Sequence, residues 1–172
     1  KGEHRITATA DSGAAAAETD EGNNSASRTV SVKGNKVQNG SFEQSSSGTT
    51  PDSWSSSGTT SYESGGSDGQ RSAAAGPGGT WTSAPVAVTP GAAYVFSVDV
   101  AGAAGTATVE QLSAAGTVLS SLPLVFAETP AGVFSTVTAG VTAVDGATQV
   151  RIRLAGSLAG TARFDNVSLT ES

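Results

Sequence analysis

Cysteine and methionine are absent from the 172 residues, histidine occurs once, and aromatics make up only 5%. Without cysteine, neither a disulfide nor a thiolate metal site braces the fold, and the compartment leaves no redox signature. The one histidine, His4, lies near the start of the chain. That supplies neither a multi-histidine zinc site nor a Ser-His-Asp triad. Charge is thin as well: 15 acidic residues against 9 basic give a net charge of −6, with no cluster of Lys and Arg. Phosphate backbones are bound mainly through such clusters, so nucleic acid is excluded as a partner. No apolar run approaches the roughly 20 residues needed to cross a bilayer, and the first residues lack the apolar core of a signal peptide. The chain is expected to be soluble and to have no membrane partner. A secreted parent would carry its signal upstream, making this sequence part of something longer.

Gly, Ala, Ser, Thr and Val dominate what is present, and long runs of the strong helix formers are missing. These propensities point to strands joined by small-residue turns, an all-β chain. Its length suits one well-buried domain plus a small appendage. "HRITATAD" alternates Ile6, Ala8 and Ala10 with Arg5, Thr7 and Thr9, and "SRTVSVKG" does the same around Val30 and Val32. Together they predict a β-hairpin with one buried face, which needs a partner sheet because two strands alone are marginal in water. The segment between them is acidic and turn-rich, with Asn23 and Asn24 suited to a tight turn.

From Asn35 onward, short strands alternate with Gly, Pro and Ser turns. "TSAPVAVTPGAAYVFSVDVAG" gives a strand to about Val88, a Pro90-Gly91 turn and a strand from Ala93 to Val100. "TATVEQLSAAGTVLSS" reads as strand, turn at Gly116 and strand. "GVFSTVTAGVTAV", "TQVRIRLAGS" and "ARFDNVSLT" add three more. Many short strands at this spacing predict a β-sandwich. "SSSGTTPDSWSSSGTTS" is expected to be a loop that docks on the body through Trp54.

Two resemblances sharpen this picture. Residues 1–33 resemble the last two strands of the bacterial adhesion-related immunoglobulin-like domain called CARDB, matching it at Asp11, Glu18, Glu21, Asn23 and Asn24. Residues 34–172 resemble the carbohydrate-binding modules of the family 4, 9, 16 and 22 type, which have a galactose-binding-like jelly-roll fold. "VQNGSFEQ" with "PDSW", "VAVTPGAAYVFSVDV" and "ARFDNVSL" carry that likeness, in order and nearly across the domain. The resemblance implies two facing antiparallel sheets, a structural calcium ion and a sugar-binding surface. It further implies a non-catalytic, secreted or cell-surface bacterial module that joins other domains of its parent protein to a polysaccharide or glycan.

Glu43 and Asp165 lie at opposite ends of the domain's sequence, which a sandwich can bring side by side. Calcium takes six to eight oxygens from carboxylates and carbonyls, whereas a glycosidase pair needs two carboxyls about 5 to 9.5 Å apart across a sugar. Ordinary turn and surface roles also suit both residues. By resemblance they are metal ligands, completed by carbonyls near Gly40 and in the "SDGQRS" turn around Asp68 and Gln70.

For sugar, the candidates are ring faces that stack on C–H groups and polar groups that meet hydroxyls. Trp54, Tyr62 and Trp81 are the ring candidates, with packing into the body as the alternative for the two tryptophans. Alternation places Tyr94, Phe96, Val98 and Val100 on one strand face and Asp99 on the other, and Val150, Ile152 and Leu154 opposite Arg151 and Arg153. Asp99, Arg151 and Arg153 are therefore expected on a polar binding sheet, or as cross-strand pairs on a solvated one. Glu110 joins them, the register leaving open whether it or Gln111 faces outward. The chain departs from the family in having few aromatics on this face, with Asp99 standing where an aromatic is expected. A spacer or adhesion module without sugar binding is the competing expectation.

Overall fold

The computed structural model describes residues 2–9, 25–130 and 132–172. The chain divides into two compact units, Lys1–Gly34 and Asn35–Ser172. In the first, β1 (Gly2–Thr9) pairs antiparallel with β2 (Ser25–Val32), from Gly2 opposite Val32 to Thr9 opposite Ser25. The hairpin is as expected, but its described side chains are exposed, Ile6 at 61%, so no buried face is formed by them. Asp11, Glu18, Glu21, Asn23 and Asn24 lie outside the described residues.

The second unit is a sandwich of two antiparallel sheets. Its strands begin with β3 (Trp54–Ser57), β4 (Thr60–Ser64), β5 (Arg71–Ala75), β6 (Thr80–Ser83) and β7 (Val86–Ala87). The longer ones follow: β8 (Ala93–Gly102), β9 (Gly105–Leu112), β10 (Val118–Phe126), β11 (Ser135–Thr142), β12 (Gln149–Gly156) and β13 (Ala162–Glu171). A six-stranded sheet runs β10-β9-β12-β6-β3, with β7 also on β12, and a five-stranded sheet runs β11-β8-β13-β5-β4. No helix of the described residues is long and apolar enough to cross a membrane.

Residues at every second position fill the space between the sheets. Tyr94, Phe96, Val98 and Val100 from β8 meet Val150, Ile152 and Leu154 from β12, with Val109, Phe164 and Leu169 beside them. Each fully buried large side chain contributes about 1.5–3 kcal/mol of transfer free energy, which sets the register, because a slip of one residue would expose the whole set. The serine-rich stretch departs from expectation: β3 and the start of β4 lie within it. Ser and Thr give no apolar alternation to read, and both strands sit at sheet edges, where one neighbour suffices.

Segment 35–42 forms no strand, yet it runs along β13. The Lys36 N–H donates to the Leu169 carbonyl at 2.9 Å, and the Val167 N–H to the Gly40 carbonyl at 2.8 Å. Asn35 Oδ1 accepts from the Leu169 N–H and Nδ2 donates to the Val167 carbonyl, both at 2.9 Å. Gly40 is required for this approach, since a Cβ there would stand 1.9 Å from the Val167 oxygen. Two residues on, Phe42 is fully buried against Trp54, with ring centroids 4.8 Å apart.

Candidate functional site

The outer face of the five-stranded sheet carries two carboxylates directly opposite each other, Asp99 on β8 and Asp165 on β13. Asp165 is fully buried and Asp99 nearly so, at 8% exposure. They are covered by loop 65–70 between β4 and β5. The Ser67 and Asp68 N–H groups donate to Asp165 Oδ2 at 2.6 and 2.8 Å, and the Asn166 N–H donates to Oδ1 at 2.7 Å. Asp99 accepts from the hydroxyls of Ser67 at 2.7 Å and Thr136 at 2.6 Å. Burial pushes the Asp165 carboxyl above its ordinary value, against the lowering effect of the backbone N–H donors of Asp68, Asn166 and Ser67 and of the Ser67 hydroxyl.

Glu43 fastens the other end of the same loop, with Oε1 accepting the N–H groups of Gln70 at 2.8 Å and Arg71 at 2.6 Å. Gly66 and Gly69 admit the two acids: a Cβ on Gly66 would stand 2.3 Å from Asp165 Oδ2, and one on Gly69 2.5 Å from Glu43 Cδ. Arg163 does not neutralise the buried pair. Its Nη2 donates to the carbonyls of Ser64 and Gly65 and to Ser72 Oγ.

The residues read as calcium ligands are thus brought to one loop and to the strand beneath it, where several of their oxygens accept hydrogen bonds. Both Asp165 oxygens and Glu43 Oε1 receive N–H groups, the Gly40 carbonyl receives Val167, and the Gln70 carbonyl receives Gly65 at 2.7 Å. Asp68 reaches Asp165 through its N–H group. Calcium needs a cage of oxygens. Among the described residues, no three His, Cys, Asp or Glu side chains gather into a group that could hold a metal ion. In this arrangement the residues form a clasp of N–H donors around carboxylates rather than a closed cage of oxygens.

The outer face of the six-stranded sheet is open. Cross-strand register lays it out in rows: Ser55, Thr82, Arg153, Thr108 and Pro123 across β3, β6, β12, β9 and β10, with Ser57, Thr80, Ala155, Thr106 and Val125 in the row beside it. In a third row Arg151 stands opposite Glu110, its Nε donating to Oε2 at 2.5 Å. A pocket of about 420 Å³ lies at the β3–β6 side, lined by Ser53, Trp54, Ser55, Thr82, Pro85 and Arg151.

Several residues expected on one binding surface are separated. Asp99 belongs to the other sheet from Arg151 and Arg153, because alternation gives a face along each strand but not the sheet the strand joins. Trp81 is 1% exposed and its Nε1 donates to the Ala74 carbonyl at 2.9 Å, so it packs between the sheets rather than offering a ring to a ligand. Trp54 is 6% exposed, bonded through Nε1 to the Asn39 carbonyl, and reaches the pocket only as part of its lining. Tyr62 lies on β4 of the five-stranded sheet, half-buried, its hydroxyl donating to the Phe42 carbonyl and Arg71 4.9 Å over its ring. Glu110 faces outward, while Gln111 turns inward to the Thr142 carbonyl and the Val144 N–H. Ser67, the hydroxyl between the two aspartates, was not legible: nothing marks one serine among so many until the loop is folded.

No family model matches the chain, and no curated protein sequence matches it. Solved structures do. The enzymatically active domain of bacteriophage CBA120 tailspike protein 4 matches with a TM-score of 0.65 and 18% identity, over 80% of this chain. This chain spans only 21% of that one. A family 4 carbohydrate-binding module matches with a TM-score of 0.54 at 18% identity, over 79% of this chain and 99% of the module. A family 16 carbohydrate-binding module does so with a TM-score of 0.55 at 17% identity, over 78% and 99%. The chain therefore contains the jelly-roll fold found in carbohydrate-binding modules.

Proposed function

We propose that Asn35–Ser172 is a non-catalytic carbohydrate-binding module that attaches a larger secreted or cell-surface protein to a polysaccharide or glycan. The observation that carries this reading is the open outer face of the six-stranded sheet, where rows of hydroxyls surround two guanidiniums and a pocket. Sugars present many hydroxyls in fixed directions, and a rigid sheet holds its partners without the entropy cost of ordering a loop. The acids Glu43 and Asp165 support the non-catalytic part, because both are committed to backbone N–H groups. A general acid must reach the proton it transfers, and a fully buried Asp165 is closed to substrate.

Affinity electrophoresis against plant, algal and bacterial polysaccharides tests the proposal. Retardation is expected for at least one polymer and is expected to weaken about tenfold in Arg151→Ala, since charge-assisted hydrogen bonds contribute roughly 1.5–3 kcal/mol. No retardation by any polymer would overturn it. One observation favours a spacer without sugar binding: the aromatics on this sheet's strands, Trp54, Trp81 and Phe126, are all buried, so no ring is offered for stacking. A spacer predicts that Arg151→Ala changes melting slightly and ligand affinity not at all.

A further inference from the structure

The six-stranded sheet carries only three charged residues, Arg151, Arg153 and Glu110. Arg151 and Glu110 are partners in an ion pair, with side-chain exposures of 35% and 12%. Arg153 is exposed and, among the described residues, its side chain has no hydrogen-bond or ionic partner. It stands on β12, the central strand, directly between Thr82 and Thr108. Two guanidiniums against one carboxylate leave the face with one positive charge in a chain of net charge −6.

We infer that the ligand of this face is an acidic polysaccharide, one whose sugar carboxylates are received by Arg153 with the hydroxyls of Thr82 and Thr108 on either side. This rests on the carbohydrate-binding reading and narrows it. Three considerations lead there. A planar guanidinium presents paired donors that match a carboxylate, and a free one held by a sheet needs little reorganisation to do so. With no aromatic ring on the face, stacking on sugar C–H surfaces contributes little, and polar and charged contacts must supply the affinity. The chain's net negative charge does not oppose this, because salt screens exposed charges beyond about 8 Å while Arg153 acts at contact distance.

The test uses the whole chain and three immobilised polymers: polygalacturonate, the same polymer with its carboxylates methyl-esterified, and a neutral galactan. Binding to polygalacturonate is expected to exceed binding to the ester by about tenfold, to weaken with added salt, and to lose that preference in Arg153→Gln. Thermal melting of Arg153→Gln is expected to match the parent, which separates lost recognition from lost folding. Equal binding to acid and ester, or a preference that survives Arg153→Gln, overturns the inference and leaves the module reading standing. Binding to none of the three overturns the inference; the wider polysaccharide panel then decides the module reading separately.

Discussion

The two outer faces of the sandwich use charge in opposite ways. On the five-stranded sheet the strands carry Glu63, Asp99, Asp165 and Glu171 against Arg71 and Arg163, and the acids at its centre are buried under a loop. On the six-stranded sheet the balance is reversed, and its central arginine is exposed. The lesson is one of accessibility. A carboxylate whose oxygens are filled by backbone N–H groups serves the fold, and a guanidinium with unfilled donors can serve a ligand.

That contrast is broken most severely at Asp165. Asp165→Ala leaves the N–H groups of Ser67, Asp68 and Asn166 without acceptors beneath the loop, and should cost about 3 kcal/mol in chemical denaturation. Gly40→Ala forces the 35–42 segment off β13 and should cost about 1–3 kcal/mol by the same measurement. Asp165→Ala does not touch the six-stranded face, so polysaccharide binding by its folded fraction should persist, whereas Gly40→Ala also displaces Asn39 and Phe42, which hold Trp54 at the pocket.

The pH dependence is smaller because burial and hydrogen bonding act on Asp165 in opposite directions. The folded carboxyl titrates above its ordinary value of 3.8, so the folded state binds the proton more tightly than the unfolded one. Its contribution to stability is greatest below 3.8, falls as pH rises through the interval up to the folded value, and is level above it. Asp165→Asn cannot titrate and should lack this component when denaturation is followed across that interval. The smallest effect is expected from chelator: melting with and without it should coincide, because the clasp is made of N–H donors. A melting temperature that rises with added calcium and returns with chelator would show that the loop rearranges to supply carbonyls.

The likeness among "NGSFEQ", "PDSW" and "ARFDNVSL" was enough to point to a jelly roll, because the positions that name it are those where the chain must turn, approach or bury. Gly40 and Phe42 illustrate this, one set by a 1.9 Å clearance and the other by complete burial. The candidate site was legible only in part. Strand alternation told that Arg151 and Arg153 oppose Ile152, and Glu110 proved to be their neighbour. It could not tell that Asp99 belongs to the other sheet, since alternation carries no information about which strands pair. Nor could it assign Trp54 and Trp81, because a large aromatic suits a core and a sugar site equally well.

The sequence by itself determined an all-β sandwich and the alternating faces of its strands, because these follow from local periodicity and turn chemistry. The tertiary structure decided which face is closed and which is open. Loop 65–70 folding back over Asp99 and Asp165, together with Thr136 and Asn166, supplies donors to all four of their oxygens, while nothing among the described residues bonds to the Arg153 side chain. That outcome depends on contacts between residues about 30 to 100 positions apart, such as Ser67 with Asp99 and Asp165, which no local pattern encodes.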